Sequence, residues 1–256
     1  MFLAICVAAS LQQVAVASPA PVAPVPVAAI AADRPGFTTG PIVLARGKRQ
    51  IETGASHIRA GDSRQTNVGE ILFRAGLTSR AELRIALNSY DILTAPGARA
   101  TGIEDASIGT KIRVVSPGES AWRPLASLIL STSVATGSAS FGNSGPEPVA
   151  VGTAAWSLPA STTLGVNLGV ANRVDGAGDR AFESLGGASI AFPLVGAVGS
   201  YLEYSFANSG GATSGYLNTG LAFTPTPNSQ LDLWVARPTS SSSTGFSIGL
   251  GLARRW

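Results

Sequence analysis

The sequence has little charge and few reactive side chains. Only 13% of its 256 residues are Asp, Glu, Lys or Arg, the formal net charge is +3, and the single cysteine is Cys6. Because Cys6 lies in an N-terminal apolar stretch, a chain that loses this stretch has no thiol and needs no disulfide in an oxidising compartment. No basic cluster is interleaved with aromatic residues, so the composition argues against nucleic acid as a partner.

Long apolar runs are also absent. After the N-terminus no uninterrupted apolar run reaches the roughly 18 residues of a transmembrane helix, which argues against a helical membrane protein. The mean hydropathy is nevertheless positive, at +0.27, and glycine is abundant, at 30 residues. Positive hydropathy without such runs is typical of strands that alternate an apolar face with a polar one.

The N-terminal residues have the composition of a secretory signal peptide. Residues 2–17 form an apolar core, and small residues that suit cleavage end at Ala17 and again at Ala31. The stretch between these sites is rich in Pro and Ala and is expected to be extended, and its prolines disfavour the alternative of a short core helix. We therefore predict a signal peptide and Pro/Ala-rich segment over residues 1–31 and one folded domain over residues 32–256.

Alternation of apolar and polar residues dominates the chain from Gly47 onward. Successive side chains point to opposite faces of a strand, so these segments predict strands with one apolar face. Their length of about ten residues is what a tilted strand needs to cross a membrane. The twelve predicted strands are 48–58, 66–76, 80–90, 104–114, 122–133, 148–158, 162–172, 182–192, 196–206, 214–223, 230–237 and 245–256.

The connections between these segments alternate in length. Short connections often carry proline, and longer ones are rich in Gly, Ser, Asp and Asn. Short periplasmic turns, longer outer loops and an even number of strands are typical of bacterial outer-membrane barrels. The predicted short turns are 77–79, 116–118, 159–161, 193–195 and 224–228, and the predicted long loops lie around 61–62 and at 94–101, 136–146, 173–180, 207–213 and 238–244.

The C-terminal segment ends on an aromatic residue after regular alternation. It resembles the last strand of a bacterial outer-membrane barrel, whose assembly machinery reads a C-terminal aromatic with alternating hydrophobic residues before it. Arg254 falls on the apolar face, which is tolerable only near the membrane interface. The predicted assembly signal consists of Phe246, Ile248, Leu250, Leu252 and Trp256.

The polar face of the strands carries charged and amide side chains that two folds would treat differently. A soluble β-sandwich turns them to solvent, whereas a barrel turns them into an enclosed lumen. The leader, the connections and the terminal aromatic favour an all-β fold, a transmembrane antiparallel up-and-down β-barrel of about 12 strands after an N-terminal signal peptide. The predicted lumen-lining residues are Gln50, Glu52, Glu70, Arg74, Glu82, Arg84, Lys111, Arg113, Glu203 and Asp232.

A three-residue turn at 77–79 predicts the register of the second and third strands. Arg74 then pairs directly with Glu82, and we predict an ion pair between them in the lumen. In a water-filled lumen such a pair would contribute at most about 1 kcal/mol.

Five fragments in the first half resemble one known group. They are RPGFTTG (34–40), QIETG (50–54), EILFRAGL (70–77), ELR (82–84) and GIEDASIGTK (102–111). Together they resemble the outer-membrane transporter-like family named for the MetA-pathway of phenol degradation, with Ile103 and Ala106 as departures from its pattern. The resemblance covers residues 34–256. It implies a barrel and the passage of aromatic or other hydrophobic small molecules.

No pattern predicts a catalytic or metal site. His57 is the only histidine, and a Ser-His-Asp arrangement would need it to meet one of many serines. Asp175 and Asp179 flank a Gly-rich stretch that could hold calcium weakly, but a plain turn is the preferred interpretation. We therefore predict no enzyme activity, no cofactor and no metal.

The predicted function is that of a channel or transporter in the bacterial outer membrane, through which small molecules pass passively. Its predicted partners are the lipid bilayer, the outer-membrane assembly machinery and a small-molecule solute. Two alternatives stay open: a structural or partner-binding barrel with a closed lumen, and a barrel hydrolase that uses His57.

Overall fold

The computed structural model describes residues 29–34, 36–116, 122–143, 145–174, 178–239 and 245–256. Within these residues the regular structure is all β-strand, and no helix is long and apolar enough to span a membrane. The strands are β1 (Arg49–Ala60), β2 (Ser63–Gly76), β3 (Ala81–Leu87), β4 (Tyr90–Ala95), β5 (Ala98–Ile103), β6 (Ala106–Val115), β7 (Leu125–Val134), β8 (Pro148–Leu158), β9 (Thr162–Val174), β10 (Arg180–Val195), β11 (Val198–Ser209), β12 (Ala212–Thr226), β13 (Ser229–Pro238) and β14 (Gly245–Arg255).

The sheet closes on itself. Strand β1 pairs with β2 on one side and with β14 on the other, and the pairs are antiparallel. The short strands β3 and β4 both pair with β2. On their other side β3 pairs with β6, and β4 pairs with β5. β3 with β4, and β5 with β6, therefore each form one barrel strand, interrupted at 88–89 and at 104–105. The result is a twelve-stranded barrel, which confirms the predicted fold class and number of strands.

The predicted division into short turns and long loops is wrong in part. Three predicted long loops are two-residue turns, at 61–62, 96–97 and 210–211, with glycines at the positive φ that other residues avoid. At the other end β10 continues through 193–195, and the turn lies at 196–197. Gly, Ser and Thr residues can pair in a ladder, so a polar stretch does not by itself end a strand.

Apolar side chains cover the outside of the barrel. In β14 the even-numbered residues from Phe246 to Leu252 are exposed, and the odd-numbered residues from Ser247 to Ala253 are buried. The largest fully buried side chains are polar, and they include Arg74, Lys111, Gln50, Glu52, Glu82 and Glu203. A soluble sandwich has the opposite arrangement, so this distribution is that of a barrel with lipid outside and polar groups inside.

Residues 29–34 and 36–47, which we call the inner segment, run through the interior of the barrel. They begin near the end of β14, where Arg255 Nη1 lies 3.4 Å from the carbonyl oxygen of Ala29, and they cross to Glu203 of β11 before returning to β1. The alternation did not predict this segment. Residues 1–28 lie outside the described residues, so the predicted signal peptide and its boundary at residue 31 stay predictions.

We call the two ends of the barrel the proximal end and the distal end. The start of β1 and the end of β14 lie at the proximal end, and the turn 61–62 between β1 and β2 lies at the distal end. In bacterial outer-membrane barrels the end with the termini faces the periplasm, so the distal end faces outward.

Candidate functional site

Asp33 of the inner segment binds three basic side chains of the barrel wall. Its carboxylate accepts hydrogen bonds from Lys111 Nζ at 2.9 and 3.0 Å and from Arg84 Nη1, and Arg74 Nη1 lies 3.5 Å away. Burial by itself would raise the pKa of Asp33, but the positive charges of Arg74, Lys111 and Arg84 hold it well below its usual range. The ionised carboxylate therefore binds the inner segment to strands β2, β3 and β6.

Arg74 is at the centre of the same cluster and is 0% exposed. Its Nε and Nη2 atoms donate to the Glu82 carboxylate at 2.8 and 3.0 Å, and Nη1 donates to Glu52 at 3.0 Å. The carbonyl oxygens of Ala31 and Ile42 accept the other two bonds, each at 2.9 Å. All five N–H groups of the guanidinium are thus used, and two of them bind the backbone of the inner segment.

The predicted ion pair between Arg74 and Glu82 forms, but the predicted register is wrong. Gly76 pairs with Glu82 and Arg74 pairs with Arg84, so the ion pair runs diagonally across the ladder. A shift by two residues keeps every side chain on the same face, which is why alternation could not detect it. The pair is also buried and not in open water, so removing one partner costs about 3 to 5 kcal/mol.

Arg34 carries the opposite charge next to Asp33 and binds other strands. Its Nη1 atom lies 2.7 Å from Glu70 Oε2, and its Nε atom lies 3.8 Å from Asp232 Oδ1. The backbone N–H groups of Asp33 and Arg34 both donate to Glu52 Oε2, at 2.8 and 3.2 Å. The inner segment is therefore held by charges of both signs on its own side chains.

Glu203, on the far wall, holds the point where the inner segment turns back. Its two carboxylate oxygens accept from the N–H groups of Phe37 at 2.8 Å and Thr38 at 2.7 Å. A Cβ atom on Gly36 would lie only 2.6 Å from Glu203 Oε2, so a larger residue there would displace this carboxylate. We call residues 36–38 the inner turn.

Beyond the inner turn, side chains of the barrel bind the backbone of the inner segment at successive residues. The Asn167 amide, in the orientation that satisfies both its atoms, bonds the N–H of Thr39 at 2.8 Å and its carbonyl at 3.0 Å. Further bonds join Lys111 to the Gly40 carbonyl at 2.7 Å, Ser127 to the Pro41 carbonyl at 2.6 Å and the Leu44 N–H to Glu82 at 2.7 Å. Buried backbone groups need such partners, and here the lumen wall supplies them.

Two cavities lie on either side of the inner turn. The outer cavity has a volume of about 790 Å³ and opens toward the distal end, and the inner cavity has about 360 Å³ and reaches the proximal turn residue Ser161. Asp33, Arg34, Gly36 and Thr38 line both of them. The inner segment, and above all its turn, is thus the partition between the two cavities.

Glycines of the wall face Thr38 at this partition. A Cβ atom on Gly187 would lie 2.9 Å from Thr38 Oγ1, and one on Gly165 would lie 3.5 Å from Thr38 Cγ2. Contacts of 2.9 Å are shorter than real Cβ atoms make. A larger residue at Gly187 would therefore press against Thr38 and fill the space between the inner turn and the wall.

Four aromatic residues of the described chain line the outer cavity: Phe206 and, in mutual contact at the inner turn, Phe37, Tyr216 and Trp234. The ring of Phe37 lies 6.2 Å from that of Tyr216 and 5.9 Å from that of Trp234, which it meets edge-on. Trp234 is buried, and its Nε1 atom has no hydrogen-bond partner among the described residues. An unpaired buried N–H is costly.

The structure places the ten predicted lumen residues as follows. Gln50, Glu52, Arg74, Glu82, Lys111, Glu203 and Asp232 are buried, and Glu70, Arg84 and Arg113 are half-buried. Five of them, Glu52, Arg74, Glu82, Arg84 and Lys111, come together near Asp33. Their contribution to a solute passage stays a prediction.

The sequence did not predict the residues of the inner segment that the predicted lumen residues bind. Asp33, Arg34, Phe37 and Thr38 precede the first strand and belong to no alternating pattern. The one available signal for them was the fragment 34–40. It is among the five fragments that carry the family resemblance, but the sequence assigned it no structural role.

Within the described part of the chain, His57 forms no hydrogen bond with a serine. Its Nδ1 atom lies 3.0 Å from Thr66 Oγ1 on the neighbouring strand β2. Among the described residues no group of three or more His, Cys, Asp or Glu residues is arranged to hold a metal ion. Asp175 lies outside the described residues, so the hypothesis of a calcium-binding loop is not tested.

Comparison with known proteins supports the same architecture. Residues 32–256 match the family described as "Putative MetA-pathway of phenol degradation". The COG4313 outer membrane channel from Pseudomonas putida F1 is similar with a TM-score of 0.64 and 11% identity, over 87% of this chain and 99% of that chain. The NanC porin is similar with a TM-score of 0.55 and 7% identity, over 80% of this chain and 98% of that one. Comparison with curated proteins gives no match.

Proposed function

We propose that this protein, which belongs to the family named for the MetA-pathway of phenol degradation, is a passive channel for small molecules. The fold is that of an outer-membrane barrel. In our proposal solutes move down their own gradient through the lumen, and the inner segment narrows their path. No side chain has to carry out chemistry in this mechanism.

The observation that carries the proposal is the pair of cavities separated by a single turn of chain. The outer cavity of about 790 Å³ and the inner cavity of about 360 Å³ share Gly36 and Thr38 as lining residues. In our proposal a small displacement of the inner turn away from Gly187 joins them, because Thr38 lies against the wall there. Asp33 and Arg34 of the inner segment pair with charged side chains of the wall, so these charges do not face the path unpaired.

The aromatic wall of the outer cavity supports a finer proposal about the solute. Phe37, Tyr216 and Trp234 offer ring faces and edges on which a planar ring can pack. We therefore propose that planar aromatic solutes, such as phenols, pass more readily than sugars of similar size.

Replacing Gly187 by valine tests the path. The added side chain would enter the space of Thr38, so we expect flux into proteoliposomes to fall several-fold for phenolic and sugar solutes alike. Gly152→Val is the control, because a Cβ on Gly152 meets its nearest neighbour at 3.7 Å. Wild-type flux that favours the phenolic solute would support the finer proposal. Unchanged flux in Gly187→Val would show that solutes do not cross at the inner turn.

The closed-lumen alternative rests on a different observation. The backbone of the inner segment is bonded to the barrel on both sides of its turn, by Glu203 and by Asn167. A structural or partner-binding barrel needs such a fixed plug. Absence of both solute flux and bilayer conductance in the wild-type protein would favour this alternative over the channel.

A further inference from the structure

Arginines form a row on the barrel at its distal end. Arg59 of β1 pairs with Arg64 of β2 across the ladder. The same row continues through Thr94 of β4 to Arg99 of β5. On the other side of β1, Arg59 pairs with Phe246 of β14. We call Arg59, Arg64 and Arg99 the arginine row.

The arginine row faces away from the lumen. Residues that pair across a ladder project from the same face of the sheet, and Phe246 belongs to the exposed apolar face of β14. Arg59, Arg64 and Arg99 are all exposed. A charge in this position cannot line a solute path, so the arginine row has no role in the proposed passage of solutes.

The position of the row along the strand places it at the membrane surface. Arg49 and Arg59 share the outward face of β1, ten residues apart. With about 3.3 Å per residue and a tilt of about 40°, they differ in height by about 25 Å, which is the height of the apolar band. Arg49 exchanges backbone hydrogen bonds of 3.1 and 3.0 Å with Trp256, an aromatic residue typical of the proximal interface. Arg59 therefore lies at the level of the outer lipid headgroups.

No carboxylate among the described residues compensates the arginine row. None of its members takes part in an ion pair there, and Asp62 in the adjacent turn forms none either. Like charges directly opposite each other destabilise a ladder, so the pairing of Arg59 with Arg64 becomes favourable only when an anion lies between them. Guanidinium groups bind phosphate with two parallel hydrogen bonds.

We propose that the arginine row binds the phosphate groups of lipopolysaccharide in the outer leaflet. The row runs perpendicular to tilted strands, so its height changes by about 3 Å from one strand to the next. Cations at several heights match a glycolipid that carries phosphates on its lipid anchor and on its inner sugars. A phospholipid with one phosphate at a single depth would reach only part of the row. This inference does not depend on whether the lumen conducts.

The test compares two double variants in barrels extracted from outer membranes. Arg59→Gln with Arg64→Gln removes the centre of the row, and Arg49→Gln with Arg254→Gln removes two outward arginines at the proximal end, which faces the other leaflet. Native mass spectrometry counts the lipopolysaccharide molecules that remain bound to each barrel. We expect the row variant to retain less than about a fifth of the wild-type amount, because each arginine contributes about 1 kcal/mol, and the proximal variant to retain the wild-type amount. The heat-dependent gel mobility of each variant shows that it is folded.

A second measurement separates a phosphate site from general contact with the glycolipid. Wild-type barrels in zwitterionic detergent are offered lipid A with both phosphates or lipid A from which they have been removed. We expect the phosphorylated form to bind several-fold better, and we expect this preference to disappear in the row variant. Equal lipopolysaccharide retention in the wild type and the row variant would overturn the proposal. The same is true of equal losses in both double variants, or of no preference for phosphate.

Discussion

The carboxylate of Asp33 completes a group of three carboxylates, with Glu52 and Glu82, that balances three cations of the barrel wall. Lys111 and Arg74 are fully buried, and Arg84 is half-buried. Charges in such surroundings are tolerable only when each has a partner. The inner segment therefore supplies a charge that the fold of the wall requires.

Replacing Asp33 by asparagine should destabilise the barrel strongly. The change leaves Lys111 without its carboxylate partner, and breaking a buried pair costs about 3 kcal/mol or more. Denaturant unfolding of barrels in lipid vesicles measures this difference. Asp62→Asn, in an exposed turn, is the control and should stay within about 0.5 kcal/mol of the wild type. Similar losses in both variants would contradict the role given to Asp33.

The pH dependence of this stabilisation follows from the direction of the pKa shift. The folded-state pKa of Asp33 lies below the unfolded value of about 4. The stabilisation is therefore fully present above the unfolded pKa and is lost as the pH falls toward the folded pKa. We expect the difference in unfolding free energy between wild type and Asp33→Asn to persist without loss from about pH 7 to 5 and to shrink below about pH 4. A difference that shrinks between pH 7 and 5 would contradict the lowered pKa.

At the scale of elements, the inner turn depends on an anchor from a distant strand. The carboxylate of Glu203 accepts from two consecutive backbone N–H groups, those of Phe37 and Thr38. These N–H groups and the carboxylate lie more than 160 residues apart in sequence. The turn has no hydrogen-bonded ladder of its own, so the anchor decides where it sits.

Replacing Glu203 by glutamine should loosen the inner turn. The amide keeps one acceptor oxygen and loses the charge, so one of the two N–H bonds is lost and the other weakens. We expect larger or more frequent openings in planar bilayers than the wild type shows. Glu183→Gln, which removes one carboxylate from a half-exposed ion pair with Arg173, is the control. Identical conductance in all three proteins would show that the inner turn does not limit the path.

At the scale of the whole molecule, the barrel and the inner segment form one structure. The carbonyl oxygen of Ala31 accepts from Gln50 and from Arg74, at 3.1 and 2.9 Å. Cleavage after Ala31 would remove this carbonyl from the folded chain. The lumen therefore favours the earlier of the two predicted cleavage sites.

We expect the protein recovered from outer membranes to begin at Ser18. Intact-mass measurement distinguishes this chain from one that begins at Ala32, because the two differ by the whole Pro/Ala-rich segment. A mature chain that begins at Ala32 would show that the contacts of Ala31 are dispensable. Unfolding of a chain shortened to Ala32 would then measure what those contacts contribute.

Alternation in the sequence by itself determined the twelve strands, the lipid-facing residues of β14 and the inward side of Arg74, Glu82 and Glu203. Each of these follows from a period of two residues, which is local and repeats along the chain. Only the tertiary structure decided the diagonal pairing of Arg74 with Glu82, because a register shift by two residues leaves the period unchanged. It also decided the place of Asp33 and the inner turn, since their partners come from strands far away in sequence and leave no periodic trace. The outward row of Arg59, Arg64 and Arg99 likewise appears only when the barrel brings these strands side by side.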